Sequence, residues 1–421
     1  MAQAIPSSSR HRLNFARVRS VLLGIILLAL IMHLVIYLAF GAALIPFPYD
    51  YDQAEGFELN NAILLSQGAC PYCSNNTFPF FASGYPPLFH FLMVPFVWFF
   101  GGAFWYGRLI IFASTLITAL LIGYAVWRSE QHRALAIAAG LAFLSSNYIY
   151  HIGPLLRQHL LMVMFETLAV ILAATAFGAS KKPDRLRLAL TFFALLCAGY
   201  TKQLAISTCA AVAIWVFLRN PRSAILYSFG LILAAGLVFA GWMVFTNGDW
   251  WLNIITSNQN PYITDQFTGL LGQFLRLHWP LLVLSGLLFA YELYFDRLSI
   301  FSIWWIVSLI STTGAGKWGA GDSYFATTLA ASCILAGQFA ARSWRGGWKM
   351  PLRISDQISR VTVLLVSSLL LIYALTVQKL PTSGPVFGPV ASMLGVEPLP
   401  GHRYPRSEER RVGKECRSRW S

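Results

Sequence analysis

Four carboxylates fall within nine residues, Asp50, Asp52, Glu55 and Glu58, in the stretch Tyr49-Asp50-Tyr51-Asp52-Gln53-Ala54-Glu55-Gly56-Phe57-Glu58. The whole chain has 17 acidic residues and is 11% charged, so the concentration is a local one. A carboxylate at the edge of an apolar region can act as a general base toward a hydroxyl, or can coordinate a divalent cation. Asp52, Glu55 and Glu58 follow one another at intervals of three, which places them on one face if a helix begins here. The alternative is a solvated helix start, where the dipole alone favours acids.

Three cations stand in unusual sequence elsewhere. Lys202 lies in Thr201-Lys202-Gln203 between two short apolar runs, as a candidate anion contact or as a lysine snorkelling from a helix end. Arg157-Gln158-His159 follow Pro154 and open the fourth apolar run. A positive charge opposes the dipole there, so Arg157 is expected to have a phosphate or carboxylate partner, with an interfacial anchor as the alternative. Lys317 sits in Gly314-Ala315-Gly316-Lys317-Trp318-Gly319-Ala320-Gly321-Asp322, where glycines allow close approach and exposed amides can bind an anion. That segment is either such a site or a flexible loop, and it lacks the Gly-Lys-Ser/Thr of an ATP-binding loop.

The elements that must position these residues are membrane helices. The chain is 57% hydrophobic with a mean hydropathy of +0.59, and long apolar runs recur from residue 20 to residue 379. Runs of that kind satisfy their own backbone in lipid as helices. The spacing predicts an all-α integral membrane protein with about eleven spans, at 20–45, 104–127, 134–151, 155–178, 186–200, 203–218, 223–246, 279–295, 298–313, 324–341 and 361–379. Residues 88–100 are too short to cross and read as a re-entrant or interfacial helix. The first span is too long for a cleavable signal.

A net charge of +14 raises nucleic acid as a partner, but the basic residues sit in short loops and at the chain ends, as membrane orientation requires. Arg10, Arg12, Arg17 and Arg19 place the N-terminal segment 1–19 in the cytoplasm. The same alternation puts the loops with Arg128 and Arg133, Lys181 to Arg187, Arg219 and Arg222, Arg297, and Arg342 to Arg360 inside. It puts the acidic loop, the turn from His151 to His159, Lys202, the polar stretch 247–278 and the glycine-rich segment outside. A site built on one face of a plasma-membrane bundle is the expectation.

Cys70-Pro71-Tyr72-Cys73 has redox spacing without a βαβ pattern, so a local disulfide or a pair of free thiols is expected. Cys197, Cys209 and Cys333 lie in apolar helices as small hydrophobes. Asn75-Asn76-Thr77 matches a glycosylation sequon. Trp250 and Trp251 suit an interface, and equally a sugar ring to stack on.

Together these residues resemble polytopic glycosyltransferases of the GT-C superfamily, above all bacterial members that use polyprenyl-phosphate sugars, related to the dolichyl-phosphate-mannose-dependent group. The resemblance is carried by Asp52-Gln53-Ala54-Glu55-Gly56, by Ala62, Leu65, Gly68 and Tyr72, and by Tyr85-Pro86-Pro87-Leu88-Phe89 before a short helix and Gly101. Arg108, Thr201-Lys202-Gln203 and Gly319-Ala320-Gly321-Asp322-Ser323-Tyr324-Phe325 extend it over roughly residues 20–345. Two departures are Arg157-Gln158-His159, where such proteins often carry Arg-x-Asp, and Ser323, where an asparagine often precedes Tyr-Phe.

The resemblance implies an outer loop, 46–103, that carries juxtamembrane helices and the catalytic residues. It also implies a lipid-linked donor, an acceptor hydroxyl on a glycan, lipid or protein, and inversion at the anomeric carbon. Asp52 is the expected base and Glu55 its orienting partner or second carboxylate. Lys202, Arg157 and Lys317 are the expected phosphate contacts, in that order. Asp50, Tyr85, His159, Gln203, Asp322 and Tyr324 complete the candidate set. Nothing in the pattern calls for a cofactor or a metal. The rival class is a transporter or lipid flippase, whose mark is ionisable groups at mid-membrane and internal repeats; among acids only Glu166 and Glu292 lie in the spans, and no repeat is visible. Residues 380–405 form a Pro/Gly-rich outer segment. Residues 406–421 break from it abruptly and read as a non-native tail, set apart from the fold.

Overall fold

The computed structural model describes residues 8–52, 54–73, 83–177, 183–348 and 356–377. Gln53, Asn75-Asn76-Thr77, Lys181, Lys182, Lys349, Arg353 and the segments 380–405 and 406–421, with Cys416, lie outside the described residues. The rest is helical. In chain order the helices are α1 (Ser8–Leu44), α2 (Glu55–Ser66), α3 (Leu88–Phe100), α4 (Trp105–Glu130), α5 (Arg133–Ser145), α6 (Asn147–Ile152), α7 (His159–Ala176) and α8 (Arg185–Thr201). They continue as α9 (Ile206–Arg219), α10 (Pro221–Phe245), α11 (Asp249–Ile254), α12 (Thr264–Phe295), α13 (Ile300–Ser311), α14 (Ala326–Arg345) and α15 (Asp356–Thr376). Among the described residues the only β pairing is an isolated bridge between Tyr262 and Lys317.

Ten of the eleven expected spans contain one of these α-helices each, and the span 134–151 contains α5 and most of α6. Seven of these are long and apolar enough to cross a membrane, namely α1, α4, α7, α10, α12, α14 with its preceding turn, and α15. The other four, α5, α8, α9 and α13, have 13, 17, 14 and 12 residues. Helices α2 and α3 form the short pair expected in the long first loop, and α3 leaves Trp98, Phe99 and Phe100 exposed at its end.

Three boundaries differ from the sequence reading, each for a local reason. The polar stretch 247–278 was expected to be loop throughout, yet α12 begins at Thr264. Phe267, Leu270, Leu271, Phe274 and Leu277 recur at helical spacing, and the intervening Gln266, Gln273 and Arg276 disguised the period. The span 134–151 breaks at Ser146, which is extended and caps α6 by accepting the Tyr148 amide. Arg157 and Gln158 were placed at the start of the fourth span, but α7 begins at His159 and Arg157 stands in the turn before it.

The bundle is organised around α14. Its most apolar window is 94% buried, against 6% for the peripheral α10. Small residues make this central place available: a Cβ on Gly337 would lie 2.7 Å from the Ala139 Cβ and 2.9 Å from Val126. Polar bonds across helices add to the packing, with the Trp305 indole donating to the Ser332 hydroxyl at 2.9 Å and the Ser285 hydroxyl to the Ser332 carbonyl at 3.0 Å. At the end away from Asp52, buried Glu130 of α4 holds Arg342 at 2.8 Å and Arg345 at 2.5 Å, both from α14. Glu292 is occupied by Ser299 and Ser302, the first turn of α13.

The feature that fixes the Asp52 end is Arg108, fully buried in the first turn of α4. All of its guanidinium N–H groups are used. The Nε donates to Glu55 at 2.9 Å, Nη1 to the carbonyls of Leu44 and Phe47 at 2.9 and 2.5 Å, and Nη2 to the Tyr49 carbonyl at 2.8 Å and to Glu55 at 2.7 Å. The end of α1, the acidic loop and the start of α2 are thus tied to α4 by one side chain. Removing one partner of such a buried pair strands the other charge and costs about 3–5 kcal/mol. Arg108→Lys keeps the charge but loses the fork. Thermal unfolding of the purified protein in detergent is expected to show a large loss of stability for Arg108→Lys, close to that of Arg108→Ala. An unchanged melting temperature in the lysine variant would contradict this role.

Candidate active site

The acidic loop does not present its carboxylates as one face. Asp52 precedes α2, and Glu55 and Glu58 are both buried in the first turn of that helix. Glu55 is 0% exposed, and besides Arg108 it accepts the amides of Tyr51 at 2.9 Å, Asp52 at 3.4 Å and Leu156 at 2.7 Å. It grips the backbone at Asp52 and, from another element, the residue before Arg157.

Those two side chains meet: the Arg157 Nη2 lies 2.5 Å from Asp52 Oδ1, in a half-buried pair. Arg157 therefore has the carboxylate partner its position demanded. Its Nε, however, is buried without an acceptor among the described residues, as is the side-chain Nε2 of Gln158 beside it. Asp50, on the exposed side of the loop, has its carboxyl pushed up to about 6 by burial first, then by Glu55 and Asp52, against Arg108 and the Gly56 amide.

Lys202, between α8 and α9, is 3% exposed. Its ammonium donates to Nδ1 of His159 at 2.9 Å and lies 4.4 Å from the ring centre of Tyr85 and 5.5 Å from that of Tyr324. Since His159 Nδ1 accepts, Nε2 carries the ring proton and faces the Ser323 hydroxyl at 3.2 Å. The two positions that depart from the family pattern, His159 and Ser323, thus bond each other. Among the described residues no carboxylate forms a contact ion pair with Lys202. Burial pushes its ammonium down to about 7, with Glu58 pulling it up and Arg157 pressing it down. The Tyr85 hydroxyl is pushed up to about 12 by burial, then by Glu58, Tyr324 and, in the other direction, Arg157.

A second layer lies behind Tyr85, and the sequence reading missed it. Glu58 pairs with His90 Nε2 at 2.5 Å, His90 Nδ1 meets the Tyr72 hydroxyl at 3.0 Å, and Tyr72 donates to the Tyr85 carbonyl at 3.0 Å. Glu58 is one of the four loop carboxylates but was not among the candidate site residues. His90 did leave a signal, since it is the only ionisable residue in the apolar helix α3. Tyr72 lies between Cys70 and Cys73, which are joined as a disulfide.

Other candidates lie apart from this cluster. Gln203 donates to the carbonyls of Gly84 at 3.0 Å and Ile254 at 3.3 Å, fastening loops rather than facing an anion. Asp322 lies in the fields of His151 and Arg157, at the start of the turn that carries Ser323 and Tyr324. Lys317 is exposed, and its backbone pairs with Tyr262. Among the described residues no hydrogen bond or ion pair links its ammonium to Asp52, Arg157 or Lys202. The glycine-rich segment is ordered by Gln266, which donates to the carbonyls of Ala315, Lys317 and Ala320. Trp250 is buried against Trp242 and Tyr72, a packing role.

The arrangement joins a carboxylate, a guanidinium with an unused N–H and a buried ammonium caged by aromatic rings. Such a set can hold an anion and, beside it, accept a proton.

No family model matches the sequence, and no curated protein matches it significantly. Solved structures do. A crystal structure of ArnT from Cupriavidus metallidurans in the apo state superposes with a TM-score of 0.57 at 14% identity, covering 84% of this chain and 75% of that one. The structure of the same protein bound to undecaprenyl phosphate gives a TM-score of 0.54 with the same identity and coverage. ArnT is a GT-C glycosyltransferase, and at this identity the likeness is one of architecture. The helical bundle, the paired short helices in its first loop and this superposition establish that the chain has the GT-C fold.

Proposed function

We propose that the chain is a membrane glycosyltransferase that moves a sugar from a polyprenyl-phosphate donor to an acceptor hydroxyl, with inversion. The observation that carries the reading is the Arg157 Nε, buried with no acceptor among the described residues while Arg157 holds Asp52, together with a buried Lys202 ammonium that meets His159 and aromatic rings but, among the described residues, no carboxylate. Buried polar groups are costly without partners. Two cations within each other's field fit a phosphate, and Arg157 is already balanced by Asp52. The uncompensated charge is therefore close to one, which suits the single charge of a phosphodiester. A solved structure of the same fold holds undecaprenyl phosphate, which supports a lipid-linked phosphate here.

In this reading the donor phosphate takes the second side of Arg157 and loosens its hold on Asp52. Asp52 then accepts the proton of the acceptor hydroxyl as the oxygen attacks the anomeric carbon. The bond to the phosphate oxygen breaks with its electron pair on that oxygen, and Lys202 and Arg157 stabilise the developing charge. Attack opposite the leaving group inverts the centre. Lys317 plays no part. A divalent cation is not needed for these steps.

The basic residues gather at the other end of the bundle, at Arg128, Arg133, Arg219, Arg222, Arg342 and Arg345, which supports a cytoplasmic placement of that end and an extracytoplasmic placement of Asp52. The membrane acid that most favoured transport, Glu166, accepts from the hydroxyls of Thr208 at 2.7 Å and Thr327 at 2.6 Å. That local satisfaction supports a structural place for it.

Asp52→Asn is expected to lower sugar transfer by roughly 10²–10⁴, while the protein still binds a lipid phosphodiester. The measurement is transfer from a panel of labelled polyprenyl-phosphate sugars by membranes, beside binding to purified protein. Full transfer in that variant would exclude Asp52 as the base. A pH dependence also follows. The anion binds the protonated lysine, so affinity for a phosphodiester is expected to be flat below about pH 7 and to fall as pH rises above it. Affinity that is flat or rising from pH 6 to about pH 8 would contradict the assignment of Lys202.

A further inference from the structure

Glu58 is the buried carboxylate of the acidic loop that the proposed mechanism does not use. Asp52 is held by Arg157, Glu55 by Arg108, and Asp50 faces outward. Glu58 is 3% exposed and is fixed by His90 from the neighbouring helix. It reaches Lys202 through its field, with the Tyr85 ring packed on the ammonium. Its partner His90 meets the Tyr72 hydroxyl, which donates to the Tyr85 carbonyl, so a chain of contacts joins the carboxylate to the residue whose ring packs on the ammonium, and its field also acts on the Tyr85 hydroxyl. The groups around Lys202 are then His159 from α7, Arg157 from the preceding turn, Tyr324 from the turn before α14, Tyr85 from the turn before α3, and Glu58 from α2. A carboxylate in contact would neutralise the lysine. One set back behind an aromatic layer leaves the lysine free to bind an anion while opposing any surplus negative charge.

We propose that Glu58 is a specificity-determining residue that limits the phosphate site to one negative charge, and so favours the phosphodiester donor over the phosphomonoester product. This rests on the reading of Lys202 as the donor-phosphate contact. The charge balance of the reaction makes the distinction useful. The donor phosphodiester carries one negative charge. When the bond from the anomeric carbon to the phosphate oxygen breaks, the electron pair stays on phosphate, and the acceptor's proton goes to Asp52. The lipid phosphate left behind carries one more negative charge than the donor did. Glu58 repels that additional charge and promotes departure of the product.

The test is a ratio, which general damage to the fold does not move. The two probes are farnesyl methyl phosphate, a phosphodiester, and farnesyl phosphate, a monoester that is mostly doubly charged at about pH 7. Binding of each to purified protein in detergent is measured for wild type, Glu58→Gln and His90→Gln. Glu58→Gln is expected to shift the monoester-to-diester affinity ratio toward the monoester by about tenfold, and to increase inhibition of transfer by farnesyl phosphate. His90→Gln disturbs the same packing but keeps the carboxylate, so the ratio is expected to stay at or below that of wild type. An unchanged ratio in Glu58→Gln, or the same shift in both variants, would overturn the proposal while leaving the phosphate site standing. Failure of wild type to bind either probe, or binding by Lys202→Ala equal to wild type, would instead sink the reading on which it rests.

Discussion

The buried pair of Arg108 and Glu55 is the constraint on which the site depends. Neither residue need touch a substrate to matter. Glu55 gathers the amides of Tyr51, Asp52 and Leu156, and Arg108 gathers the carbonyls of Leu44, Phe47 and Tyr49. Two loops from distant parts of the chain are thereby referenced to one ion pair. Asp52 rides on one loop and Arg157 on the other, so their separation is set by a rigid anchor rather than by loop flexibility. A dry pair of this kind is costly to form in lipid and stable only when its remaining hydrogen-bonding capacity is filled, as it is here.

Around that anchor the four acids of the loop are divided by environment. Glu55 is sealed and structural. Asp52 is half exposed and balanced by an arginine that still has a free N–H. Asp50 faces outward, with its proton held more tightly than is usual. Glu58 is buried behind Tyr85 and tied to His90. Four carboxylates within nine positions thus stand in four different surroundings. The difference lies in which cation reaches each one.

Much of the fold was legible in the sequence because lipid imposes a simple rule on apolar runs. The helices α1, α4, α10 and α15 are long and uniformly apolar, and their places follow from hydropathy alone. The start of α12 was not legible: its exposed polar residues diluted the apolar spacing of Phe267, Leu270, Leu271 and Phe274. The break at Ser146 depends on a side-chain cap that a hydropathy run does not register.

For the site, proximity in sequence exposed Asp52 and Glu55, and their scarcity on one face exposed Lys202 and Arg157. Glu58 and His90 were missed because their significance arises only when α2 packs on α3. Lys317 was singled out by its glycine-rich setting, and there the structure shows Gln266 donating to the carbonyls of Ala315, Lys317 and Ala320.

The most direct measurement is a cryo-electron microscopy map of the protein with farnesyl methyl phosphate bound. The account predicts phosphate density between the Lys202 ammonium and the Arg157 Nε, with Asp52 drawn off Arg157 and the Arg108–Glu55 pair unmoved. Phosphate density at Lys317, or elsewhere with Lys202 still touching only His159 and its aromatic cage, would contradict it.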